Sequence, residues 1–144
     1  MAEVTFYHQE RVDGGRRSGV TVDGTPVLHG FVPGTNEYDP ALEWYADVTL
    51  ATANPPTQAN GLTWLNSHAP EIRQSLTEAA DCLSVGIDAS SMPAEFQRFD
   101  AGGRPIRVTV SAMRRLTGRH VGEKLRQLAE MDWAQLFPAL TPQG

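Results

Sequence analysis

The chain has one cysteine, Cys82, and one lysine, Lys124, among 144 residues. A lone cysteine forms no internal disulfide, so the fold does not depend on an oxidising compartment. No apolar run approaches the ~20 residues needed to cross a bilayer. The start, residues 1–6, lacks the basic region and long apolar core of a secretory signal, and a cytoplasmic location is the expectation. Also missing are Gly-x-Ser-x-Gly, a Walker loop, His-Glu-x-x-His and Cys-x-x-Cys, the motifs that would announce hydrolase, nucleotide, zinc or redox chemistry. No cofactor and no membrane association are expected.

What remains is an ordinary globular composition, 40% hydrophobic and 20% charged, at a length that suits one α+β domain over residues 1–144. The first half reads as strands. Val4, Phe6, His8, Glu10 and Val12 alternate with Thr5, Tyr7, Gln9 and Arg11, and Asp13-Gly14-Gly15 then supplies a turn. A short strand at residues 19–22 leads through Asp23-Gly24, a hairpin signal, into a third strand starting near Pro26. Residues 33–40 compose a loop. Leu42, Trp44, Ala46, Val48 and Leu50 form one apolar strand face opposite Glu43, Tyr45, Asp47 and Thr49, which predicts a sheet with one side on a core and one side wet.

Helical spacing covers residues 58–84. A weak first piece contains Gly61, and a stronger second piece has Pro70 in its first turn and Ile72, Leu76, Ala79, Ala80 and Leu83 on its buried face. Gly86 is a stop signal and residues 87–100 do not choose between helix and strand. Another strand carries Ile106, Val108, Val110 and Ala112 on one face. A last helix, capped by Thr117, buries Val121, Leu125 and Leu128, then continues or kinks near Asp132 towards Trp133, Leu136 and Phe137 before Pro138 and Pro142. Strands and helices are segregated rather than alternating. The expectation is a mainly antiparallel sheet of five to six strands with two to three helices on one face.

Charge is distributed unevenly. Residues 1–103 carry a net charge near −9 and residues 104–144 near +4, for a total of −5. Seven of the twelve basic residues fall between positions 104 and 126. Such a split can steer an acidic partner to one end of the molecule. Arg104, Arg107, Arg114, Arg115 and Arg119 are therefore candidate binding residues, placed on a strand, a turn and a helix start. Glu123 and Glu130 are spaced to neutralise the helical arginines, Arg119 and Arg126. No aromatic is interleaved with the arginines and the pI is about 5.3, so nucleic acid is a possible but not a favoured partner. The function expected is a binding or assembly module that docks an acidic protein or a second copy of itself.

The rival expectation is a small enzyme or metal-binding protein. His8 and Glu10 share a strand face, and His29 would come near in a meander of strands. His-x-Glu with a second His suits both metal ligation and general acid–base catalysis. A bulge near Gln9 would instead turn Glu10 to solvent. His68 and His120 are expected in a loop and on a helix surface. Cys82, at a helix end without a cation, is expected to pack in the core rather than act as a nucleophile.

Overall fold

A computed structural model of the chain describes residues 1–28, 41–83, 94–112 and 118–132. Within them the order is β1 (Ala2–Arg11), β2 (Arg16–Val22), β3 (Thr25–Leu28), β4 (Leu42–Thr52), α1 (Gly61–Leu83), β5 (Ala94–Phe99), β6 (Pro105–Ala112) and α2 (Gly118–Glu130). All six strands join one antiparallel sheet in the order β3-β2-β1-β4-β6-β5. This is the expected α+β architecture. Two helices are present among the described residues, and the ambiguous stretch resolves in part as the edge strand β5. Gly86, Thr117 and everything expected beyond Asp132 lie outside the described residues.

Turn chemistry sets the first hairpins. Asp23 and Gly24 both take positive φ, 48° and 83°, as a two-residue hairpin turn with the twist of its strands requires. Gly14 has φ 88°, and Asp13 accepts a hydrogen bond from the Gly15 N–H at 2.9 Å. The β1–β2 register follows from that turn and sets His8 opposite Ser18 and Glu10 opposite Arg16.

The core lies between the sheet and the helices. Val4, Phe6, Trp44, Ala46, Val48, Ile106, Val108 and Val110 meet Leu65, Ile72, Leu76, Ala80 and Leu83 of α1 and Val121, Leu125 and Leu128 of α2. The helical region is one helix with Pro70 inside it, not two pieces. Proline removes one backbone hydrogen bond there, and burial of the long apolar face offsets the loss. At the start of α1, Gly61 makes room for Leu28: an added Cβ would fall 2.3 Å from Leu28 Cδ2. Arg73 of α1 donates to the Met131 carbonyl at 3.0 Å, which satisfies backbone just past the end of α2.

The other sheet face is not simply wet, contrary to the alternation in the sequence. Tyr7, Gln9, Thr21, Tyr45 and Ser111 are buried there. Part of the reason is Gly19, whose missing side chain seats Tyr7. A Cβ on Gly19 would lie 2.2 Å from Tyr7 Oη. Among the described residues, no helix is long and apolar enough to cross a membrane.

Candidate functional site

His8 sits in mid-strand on β1, on the helix-facing side, and is fully buried. Its two ring nitrogens are both engaged. Nε2 lies 2.9 Å from Glu10 Oε2 and Nδ1 lies 2.5 Å from Ser18 Oγ. An ionised carboxylate only accepts, so Nε2–H donates to Glu10; Nδ1 accepts from the Ser18 hydroxyl when the ring is neutral and donates to it when the ring is protonated. Trp44 packs at an angle on the imidazole, with ring centroids 5.4 Å apart.

Glu10 is where this buried chain meets charge. Lys124 of α2 lies 3.8 Å from its carboxylate and 3.4 Å from that of Glu43, and Arg16 lies 3.9 Å from Glu10. Partial burial alone would raise the Glu10 pKa. The hydrogen bond and charge of His8, the Trp44 side chain and Lys124 together outweigh it, and the carboxyl titrates below its ordinary range. A bulge does interrupt β1–β4, but between Glu10 and Arg11, one position later than the sequence suggested. Two β4 residues therefore face one β1 step: Glu43 turns to Lys124, and Glu10 keeps the face of His8.

Serine, histidine and glutamate in hydrogen-bonded series are the residue types of an activated nucleophile. Here that arrangement is enclosed. His8 has no exposed surface and Ser18 almost none, so a substrate has no route to them. Both ring nitrogens of His8 are hydrogen-bonded, so metal ligation would have to displace Ser18 or Glu10. Among the described residues no three histidine, cysteine or carboxylate side chains are placed to hold one. His29 lies outside the described residues.

The arginine candidates separate in space. Arg104 and Arg107 stand at the β5–β6 hairpin end, while Arg119 opens α2 beyond the far end of β6, a strand about 26 Å long. Arg114 and Arg115 lie outside the described residues. Arg107 pairs with Glu3 at 3.1 Å across the exposed sheet face. Arg126 pairs with Asp81 of α1, an inter-helix contact that helical spacing alone did not suggest. Beside the hairpin, Phe99 is 61% exposed, and the register gives Phe99, Gln97, Pro105 and Arg107 one common outward face.

A cleft of about 600 Å³, which no periodicity announces, lies between α1 and β5, lined by Ala79, Phe96 and Val108 and edged by Glu78, Cys82, Glu95 and Arg98. Cys82 is exposed here rather than packed, because it falls one step off the α1 stripe of Ala79, Ala80 and Leu83. His68 is in α1, not a loop, where it stacks on Trp64 with centroids 4.0 Å apart. No family model, curated protein or solved structure matches this chain.

Proposed function

We propose that this protein is a small binding module that docks an acidic protein partner through the outward face of the β5–β6 hairpin. The observation that carries the reading is the company of Phe99, Arg104 and Arg107, all exposed at one end of the sheet. Aromatic and arginine side chains together are the composition of energetic centres in protein interfaces. The Arg107–Glu3 pair is solvent-exposed, so exchanging Glu3 for a partner carboxylate costs little. The rest of the body is acidic, which orients an acidic partner towards this end. Self-association through the same face is the second form of this reading.

A second reading, a small enzyme or metal-binding protein using His8 and Glu10, requires the buried His8 to become accessible to a ligand. Elemental analysis of purified protein, with thermal shifts across divalent ions, checks it directly: bound metal or a marked shift would support it. The docking reading is tested with a fluorescent Glu-rich peptide followed by anisotropy. Binding is expected at low salt and should vanish in the Arg104→Glu/Arg107→Glu double variant. Undiminished binding by that variant would sink the proposal.

A further inference from the structure

We infer that β5 receives an extended segment of the partner as a seventh strand, apolar side chains entering the α1–β5 cleft and carboxylates pointing outward. This rests on the docking reading above and adds the mode of recognition.

The sheet has two edges, and they differ. At one end, β3 contains Pro26 and shows a register break against β2. Proline and irregularity are among the usual protections against unwanted strand pairing. At the other end, β5 keeps an unbroken register with β6 from Ala94↔Val110 to Phe99↔Pro105. Among the described strands it pairs with β6 alone. Such an edge offers backbone donors and acceptors to an added strand, and pockets beside it read the alternate side chains.

The cleft stands in that position. Ala94, Phe96 and Arg98 face the helix side, where the cleft takes Phe96 into its floor with Ala79 and Val108. About 600 Å³ falls within the usual range of ligand pockets. Two of its carboxylates are matched, Glu78 with Arg98 at 3.0 Å and Asp81 with Arg126, and Glu95 adds a third acidic group to its rim. A further acid placed inside would meet Glu78 and Asp81 without a free counter-charge, so inward positions favour apolar groups. Outward positions run past Glu95 and Gln97 to Phe99, Arg104 and Arg107, so acids are favoured at the Phe99 end. Chemistry on the two sides thus specifies an alternating acidic and apolar strand.

The same charges disfavour a second copy of this chain as the occupant. Two-fold pairing of β5 with itself would set Glu78 and Asp81 of each copy across a shared cleft from their counterparts. It would also bring Arg98, not an apolar residue, into an inward position.

The test uses the full chain and a labelled seven-residue peptide of alternating Glu and Val, with amide hydrogen exchange as the structural readout. Binding should slow exchange across Ala94–Phe99. Replacing Glu by Lys, or N-methylating alternate amides, should weaken binding by about tenfold or more. Filling the cleft by Cys82→Trp should do the same, and so should N-ethylmaleimide on the folded protein, which needs no refolding variant. If the peptide binds but β5 gains no protection, or cleft blocking leaves affinity unchanged, the strand mode falls while docking through Arg104 and Arg107 stands. If the Arg104→Glu/Arg107→Glu variant binds as well as the parent, the docking reading itself falls. A dimer by light scattering with β5 already protected would overturn the inference in favour of self-pairing.

Discussion

Lys124 lies 3.4 Å from Glu43, on α2 and on the bulge of β4 respectively, and the extra residue in that strand is what turns the carboxylate towards the helix. With Glu10 as its second partner, Lys124 ties α2 to two central strands. Lys124→Met keeps the aliphatic stem and removes the charge. Since all three side chains retain some exposure, the loss should be about 1 kcal/mol, read by urea denaturation. An unchanged midpoint would show that apolar packing alone seats the helix.

His8→Ala should cost far more, about 3 kcal/mol, because it opens a cavity and strips Ser18 and Glu10 of a partner. Ser18→Ala should cost about 1 kcal/mol. Both variants, once folded, should bind the acidic peptide as the parent does. Loss of binding with intact stability would return His8 to the list of functional residues.

Acid should weaken the fold through Glu10. Its carboxyl titrates below the ordinary value of 4.5 when folded, so the unfolded chain takes up the proton first as pH falls. The stabilisation is present above that value and is lost progressively as pH drops through the lowered one. Stability curves of the parent and Glu10→Gln should converge below about pH 4.5 and separate above it, with the parent more stable. Parallel curves would show that Glu10 is not the responsible group.

Gly19→Ala should be destabilising by about 2 kcal/mol, since its methyl would occupy the place of the Tyr7 ring and approach the Leu28 carbonyl at 2.7 Å. Adding Tyr7→Ala should recover part of that loss, a coupling that a double-mutant cycle measures.

Cys82 should react with a thiol reagent in the native protein, without denaturant. Reaction only after unfolding would mean that the cleft is closed in solution.

Much of the architecture was legible because it rests on local periodicity. Val108 and Val110 alternate inward, Val121, Leu125 and Leu128 recur at helical spacing, and Asp23-Gly24 turns where its backbone demands positive φ. Pro70 misled because a local preference for the first helical turn was outweighed by the continuous apolar face packed beneath it. Ser18 was within reach: counting back from Asp13-Gly14-Gly15 sets it opposite His8. Lys124, Arg126 and the cleft were not. Their partners Glu10, Glu43 and Asp81 are distant in sequence and meet them only through helix docking, which no periodicity encodes.

Strand order gives the first residues an unexpected standing. β1 is joined to β2 on one side and β4 on the other, so the amino-terminal segment is the seam of the sheet rather than its hem. Shortening the chain from that end would not trim an edge. It would divide the sheet into the hairpin β2–β3 and the three strands β4, β6 and β5, and leave each with a raw border where ten residues had stood.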